Sequence, residues 1–342
     1  MSDRTSDRMS GAASGAASGT AIGTAIGTAI GTAIGTASGT ASDVSDSEFL
    51  ARRFESHRPR LRAVAYRMLG SLAEADDAVQ EVWLKLSRAD ASDIDNLAGW
   101  LTTVVGRVCL DMLRSRRSRA EEPLAGPDGS GAGSGDGGLR MPEPVVSPVS
   151  GVDPEQEALL ADSVGLALLV VLETLGPAER LAFVLHDLFG VPFDDIAPLV
   201  GRTPAAARQL ASRARRRVRG GAPVVEADVE RQWEVVEAFL GAARDGDFEA
   251  LVAVLAPDVV ARSAAGVTRG ATAVASQAAM YAHLGRFVRR ALVNGAAGLV
   301  VVRDGRVERV LSFAVAEGRI AAIDAVAEED RLAALDVALL DA

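Results

Sequence analysis

The 342-residue chain has one cysteine, one lysine and three histidines, and only 4% of its residues are aromatic. A lone Cys109 excludes an intramolecular disulfide and any Cys-rich zinc site. Its neighbours Val105, Val108 and Met112 point to a buried, inert thiol. His57, His186 and His283 are scattered with no H-x-x-x-H pair, so no metal, cofactor or catalytic residue is expected. The arginine and alanine excess beside the single Lys85 reads as GC-rich codon bias. A net charge of −10 excludes a protein that coats nucleic acid by bulk attraction. Any such contact must come from local clusters, notably Arg114–Arg119 and Arg213–Arg219. No run approaches the ~18 apolar residues of a membrane span. Acidic Asp3 and Asp7 accompany the early arginines, and no apolar stretch of a signal peptide follows. A cytoplasmic protein is the expectation.

What is present falls into five stretches. Residues 1–44 are a low-complexity tail, with GAAS twice, GTAI four times and GTAS twice, and disorder is expected there. Residues 45–119 are strongly helical. A helix over about Asp46–Leu69 ends at Gly70, and Ser71-Leu-Ala-Glu74 is a capping box opening a second. That second helix buries Ala75, Val79, Val82 and Leu86. A third, from Asp95 or Asn96, buries Leu97, Trp100, Leu101, Val104 and Val108. Thr103, Arg107, Leu110, Arg114 and Arg117 lie on a different side of it. Residues 120–153 are a linker, flexible in GPDGSGAGSGDGG and locally extended in PEPVVSP. Residues 154–220 are helical again, opening at Pro154. From 226 to 342 two helices, ending near Arg244 and Leu255, precede a strand meander with turns at Asp304-Gly305 and Glu317-Gly318, an α+β pattern. Glu328–Leu340 reads as a closing helix.

Val191–Arg219 organises the rest. Phe193, Ile196, Ala197 and Val200 make one apolar stripe on a short helix that turns at Gly201. Thr203 caps a second helix and Pro204 suits its first position. Ala207, Leu210, Ala214 and Val218 point one way; Arg208, Gln209, Ser212, Arg213, Arg216 and Arg219 point the other. Arginine and serine suit phosphates, arginine and glutamine suit base edges, and this is a helix-turn-helix with a recognition helix. The bland alternative is a solvated arginine face on a helical hairpin.

In three stretches the helical half resembles a sigma-70 family factor of the extracytoplasmic-function type. Ala73–Leu86 is similar to the polymerase-binding segment, Asn96–Arg117 to the −10 melting and recognition segment, and Leu175–Val218 to the −35-binding domain. The resemblance implies that Asp76, Asp77, Gln80, Glu81, Trp83 and Leu84 meet core RNA polymerase. It implies that Trp100, Arg107, Arg114, Arg116 and Arg117 serve the −10 element of promoter DNA. Arg202, Thr203, Arg208, Gln209, Ser212, Arg213 and Arg216 would serve the −35 element. Arg107 stands where such factors often carry asparagine.

The C-terminal part resembles a SnoaL-like domain, a cone of curved sheet and helices around a pocket, which one group of these factors carries fused. MPEP (Met141–Pro144), NGAAG (Asn294–Gly298) and EEDRL (Glu328–Leu332) are similar to that group's motifs. Ser263–Gly266 departs from its glycine-rich acidic stretch, and EEDRL lacks the usual asparagine-proline start. The expected fold is two all-α sigma domains followed by an α+β SnoaL-like cone. The resemblance implies that Pro142, Glu143 and Pro144 form a regulatory linker, and that the cone tunes polymerase use without a separate anti-sigma factor. An unknown small ligand in the cone is the remaining partner class. The alternative reading makes the cone a small-molecule-binding or cyclase- or isomerase-like module, with His283, Asp258, Asp324 and Tyr281 as its candidate polar groups. A ligand-responsive repressor conflicts with the separate N-terminal helical domain.

Overall fold

Residues 41–89, 94–121, 141–149, 165–221, 226, 228–333 and 335 are described in a computed structural model. The expectations for the N-terminal repeat before Ala41, the helix start at Pro154, and the closing helix beyond 335 lie outside them. The chain divides at Arg52. Of the first unit the described part is the opening of α1 (Ala41–Leu69), where Arg52 pairs with Glu48 at 3.4 Å. α1 starts five residues before the expected Asp46.

The second unit carries three groups of elements. The first is the rest of α1 with α2 (Leu72–Leu86) and α3 (Leu97–Glu121). α1 ends where expected, at Gly70 with φ +68°. α2 buries Ala75, Val79, Val82 and Leu86 as its periodicity predicts. α3 corrects the expectation at Leu110, assigned to the stripe away from the core, which is fully buried. The cause is a second helical group that packs there. Gly106, one turn before Leu110, lies so close to that group that a Cβ would meet Leu185 at 3.0 Å and Leu181 at 3.2 Å.

That second group is α4 (Leu166–Glu173), α5 (Pro177–Phe183) running into a π turn over Val184–Leu188, α6 (Phe193–Val200) and α7 (Pro204–Gly221). α6 buries its predicted four residues and stops at Gly201, whose φ of +65° is left-handed. Thr203 Oγ1 accepts from the Ala206 N–H at 3.3 Å, the expected cap. On α7 the buried residues are Ala207, Ala211 and Ala214, while Leu210 and Val218 are only half-buried. Three alanines on one face let α7 lie close against α5.

The third group is α+β. Helices α8 (Val229–Asp245), α9 (Phe248–Val254) and α10 (Ala271–Met280) cover one face of a seven-stranded sheet. Its strands are β1 (Val146–Ser147), β2 (Leu255–Ser263), β3 (Gly266–Arg269), β4 (Val288–Val293), β5 (Ala296–Arg303), β6 (Arg306–Ala316) and β7 (Arg319–Val326). A 3-10 turn (Ala282–Phe287) leads into β4, and α11 (Glu329–Leu332) follows β7. The order is β1-β4-β5-β6-β7-β2-β3, antiparallel except between β2 and β7. The expected meander is β5–β7. Its turns at Asp304-Gly305 and Glu317-Gly318, with Asn294-Gly295 before them, all have positive φ at both residues, as the tightest hairpins require.

Side chains alternate across the sheet. One face packs Leu299, Phe313, Ile320 and Ile323 against Trp233, Val236, Phe239 and Leu251, with the Phe239 and Phe313 rings edge-on at 5.6 Å. On the other face Ala314 and Ala322 meet Ala167 of α4. The sheet is therefore covered twice, by its own helices and by the second helical group.

Asp324 lies on that second face, two residues along β7 from Ala322, and Arg262 of β2 is its register partner. The Arg262 guanidinium donates to Asp324 Oδ1 at 3.1 Å, and Oδ2 has no partner among the described residues. Burial pushes the Asp324 carboxyl up to about 6, from an ordinary 3.8, against the opposing pull of Arg262. Between those values the folded chain keeps a proton that the unfolded chain has lost. Stability is thus full below about pH 4 and falls as pH rises toward about 6. Asp324→Asn should flatten that fall by on the order of 2–3 kcal/mol, read as the difference between variant and parent in urea unfolding at several pH values.

Candidate nucleic-acid interface

α2 presents Asp77, Gln80, Glu81 and Leu84 to solvent, with Leu84 45% exposed. These positions are one turn apart and make one surface. Lys85 donates to Glu81 at 2.9 Å, and that hydrogen bond and charge hold the Glu81 carboxyl below its usual range. Two residues expected on this surface turn inward instead. Asp76 accepts Arg62 of α1 at 2.7 and 3.1 Å. Trp83 is half-buried with its ring 5.1 Å from that of Phe54. Both fasten α2 to α1, because they sit on the side of the helix next to the buried stripe.

On α3, Arg107, Arg114 and Arg117 are exposed. Arg114 lies 3.7 Å from Asp111. Arg116 is a correction: it is half-buried and ion-paired with Glu74 of α2. Trp100 and Val104, both expected in the buried stripe, are only half-buried. The Ser71 half of the predicted capping box is in place. Ser71 accepts from the Glu74 N–H at 3.5 Å.

α7 turns Arg208, Gln209, Ser212, Arg213, Arg216 and Arg219 outward, and Arg202 and Thr203 are exposed just before it. Arg208 stacks over Phe193 at 5.3 Å, which sets its direction at the start of the helix. Arg213, expected to face a base, reaches Glu179 of α5 at 3.4 Å, and Arg217 reaches the same carboxylate at 2.9 Å. Arg215 pairs with Asp187 at 2.6 Å. The basic run thus divides by its partners. Arg213, Arg215 and Arg217 reach acidic side chains and brace α7, while Arg208, Gln209, Ser212 and Arg216 leave an open polar face.

The three groups are tied together behind these surfaces. Arg180 of α5 is buried, donates to the Met68 carbonyl at 2.7 Å and grips Glu173 at 2.9 and 3.3 Å. Removing one partner of such a buried pair costs roughly 3–5 kcal/mol. Arg60 donates to the Phe189 carbonyl at 3.0 Å.

The segment Met141–Ser147 is buried from end to end. Its prolines keep it extended as expected; its anchoring is what the sequence alone does not reveal. Pro142 packs over Gly70, and the Glu143 N–H donates to the Gly70 carbonyl at 2.8 Å. The Glu143 carboxylate accepts from the Leu72 N–H at 2.8 Å and from Ser71 Oγ at 3.1 Å. A linker carboxylate therefore supplies the second half of the α2 cap, at the helix end that favours negative charge.

From there the segment joins the sheet. Tyr66 of α1 donates to the Glu143 carbonyl at 2.6 Å and accepts from the Asn294 amide at 3.0 Å. Asn294 Oδ1 accepts from the Val145 N–H at 3.2 Å, and its own N–H donates to the Val145 carbonyl at 2.8 Å. Val146 and Ser147 then pair with Val293 and Leu292 as the edge strand. Burial holds the Tyr66 phenol protonated far above its ordinary range, the Asn294 bond pulling the other way. Gly298 completes the fit, since a Cβ there would sit 2.8 Å from the Leu311 carbonyl and overlap Val293. Asn294 and Gly298 are thus the members of NGAAG that bear on the fit of this segment to the sheet.

Of the four polar candidates in the cone, Tyr281 alone borders its cavity. Asp324 faces outward, while Asp258 and His283 are exposed. Among the described residues no group of three or more His, Cys, Asp or Glu could hold a metal ion, and no helix is long and apolar enough to cross a membrane.

Comparison with known proteins matches the two helical groups to known families. Residues 53–119 match the Sigma-70 region 2 family and residues 165–218 match Sigma-70 region 4. The probable ECF RNA polymerase sigma factor SigI of Mycobacterium tuberculosis is 38% identical over 219 residues, 63% of this chain and 70% of that protein. The ECF RNA polymerase sigma factor SigJ of the same organism is 42% identical over 207 residues, 60% of this chain and 62% of the relative. The crystal structure of M. tuberculosis SigJ superposes with a TM-score of 0.64 at 34% identity, over 83% of this chain and 98% of that one.

Proposed function

Given that this chain belongs to the extracytoplasmic-function sigma factors of RNA polymerase, we propose that its open α7 face reads the −35 element and α3 the −10 element. We propose further that the SnoaL-like cone restrains both. In this reading α2 docks on core polymerase through Asp77, Gln80, Glu81 and Leu84. Arg107, Arg114 and Arg117 hold melted −10 DNA, while Arg116 positions α3 against α2. Arg208, Gln209 and Ser212 face −35 bases. Arg216 meets phosphate, as does Arg213 once it releases Glu179.

The observation that carries the promoter reading is the α7 face, where Arg208, Gln209, Ser212 and Arg216 share one exposed side. An acidic chain with few unpaired arginines neutralises few phosphates, so free promoter DNA binds weakly and the complex with polymerase binds well. Losing a bidentate base contact costs roughly 1–3 kcal/mol and relaxes preference at one position. Arg208→Ala and Gln209→Ala should each do so in a competition between promoter templates. Unchanged preference in both variants would remove the recognition-helix assignment. Arg216→Ala should instead weaken all templates alike and lower the salt slope by about one.

The restraint rests on the anchored Met141–Ser147 segment. By their names the two promoter elements lie about 25 base pairs apart, on the order of 80 Å at ~3.4 Å per step. Helices in contact, as α3 and α5 are at Gly106 and Leu181, cannot span that distance. The described arrangement is then a closed form that must open on the promoter, and the cone supplies the restraint in place of a separate anti-sigma factor. Such a factor works in the cytoplasm, where its polymerase is.

A further inference from the structure

The cavity inside the cone has no part in the promoter reading, and its construction is specific. It measures about 370 Å³, within the range of small-molecule sites. Strand register arranges its wall in layers. Ile323 is the register partner of Phe313 and shares a buried cluster with Phe239. Leu299 and Leu311 form the next layer as register partners, and Val301 and Arg309 the one after. Along this wall polarity appears only at Arg309, at the mouth.

Arg309 at that mouth is half-buried, with its guanidinium 4.6 Å from the centre of the Tyr281 ring. Among the described residues it has no acidic partner within 4 Å. The neighbouring arginine Arg303 on β5 by contrast holds Glu308. Stacking occupies the flat face of a guanidinium and leaves its edge donors free for a planar anion. A second cation, Arg244, also borders the cavity and is held by the Gly285 carbonyl at 3.0 Å. One carboxylate, Glu328, borders it too, with Oε2 taken by the Ala327 N–H at 2.9 Å. Arg262 borders it as well, paired to Asp324, so arginines outnumber carboxylates three to one around an apolar interior. That pattern fits a ligand with an apolar body and a single negative end.

We propose that the cone binds a small apolar carboxylate, its hydrocarbon among Phe239, Leu299, Leu311 and Ile323 and its carboxylate on the outer edge of Arg309. This is independent of which promoter the protein reads and of whether the cone restrains it. The proposal is one of binding; Asp324, Asp258 and His283 do not border the cavity.

The test is calorimetric titration of the full chain with decanoate, and with decanol as its neutral counterpart, below their aggregation concentrations. Saturable one-to-one binding of decanoate is expected, about tenfold tighter than decanol, the size of one charge-assisted contact. Arg309→Gln should bring decanoate to the level of decanol while leaving decanol unchanged. Arg309→Lys, which keeps the charge and loses the fork, should fall between. Leu311→Trp fills the cavity and should abolish binding of both. If neither probe saturates the parent chain, there is no such site. If both bind equally to parent and Arg309→Gln, the site is apolar without anion selectivity and the proposed class is wrong.

Discussion

Asp77→Arg combined with Glu81→Arg is expected to abolish association with core polymerase while the melting temperature stays that of the parent. Both side chains are exposed, and neither is used to hold α2 in place. The Lys85 partner of Glu81 is a surface pair of the kind that contributes little to stability. Across a docking surface the same change sets like charge against like, and the loss in affinity should be on the order of a hundredfold or more. Co-purification with core enzyme is the measurement. Normal recovery of the double variant would show that polymerase is met elsewhere. A useful contrast is Asp76→Ala, which breaks the link to Arg62 and should lower stability before it lowers docking.

Asn294→Gly is expected to raise run-off transcription at limiting core polymerase by several-fold to about tenfold. Glycine tolerates the +50° φ of this position, so the turn survives while the side-chain amide is lost. The buried Val145 N–H then has no acceptor and Tyr66 loses a donor. Leaving a buried donor unsatisfied costs roughly 1–3 kcal/mol, and the cost falls on the closed form alone. Removing residues 226–342, or replacing Pro142 and Pro144 by alanine, should act in the same direction. Equal activity of parent, Asn294→Gly and the truncated chain across a range of core concentrations would make the cone a passenger. Lower activity in all of them would mean that the cone supports the open spacing.

The two helical groups and the recognition helix were legible in the sequence because their information is local. Period 3.6, Ser71, Gly201, Thr203 and Pro204 each act within a turn or two of where they stand. The hairpins Asp304-Gly305 and Glu317-Gly318 were legible for the same reason. Strands β2, β3 and β4 and helix α10 were not. Ala-rich stretches such as Ala271–Met280 carry little periodic contrast, and VRRALV puts two arginines side by side in a strand.

At the site, the outward face of α7 followed from phase alone. Which of its arginines are already occupied did not, because Glu179 and Asp187 belong to α5 and its π turn. Leu110 was misassigned for a related reason: the group that buries it is some 70 residues downstream. The anchored segment was hardest to see. Tyr66 reads as one more core aromatic on α1, Asn294 as a turn residue and Glu143 as a charge between prolines, and their contacts span 71 to 228 residues.

Those spans bear on inheritance. Glu143 finishes the cap of a helix 71 residues upstream, and Tyr66 of the first group and Asn294 of the third bond the backbone around it. Substitution at any one of these positions relaxes the constraint on the rest, so among descendants they should be kept or lost as a set. The same holds for exchange of whole segments. A chimaera that takes residues 226–342 from another lineage inherits a matching Asn294 and Gly298 only if it takes the 141–147 segment as well. Recombination breakpoints between the two should therefore be rare in natural genomes, even though the chain after Arg219 would otherwise be a convenient place to join genes.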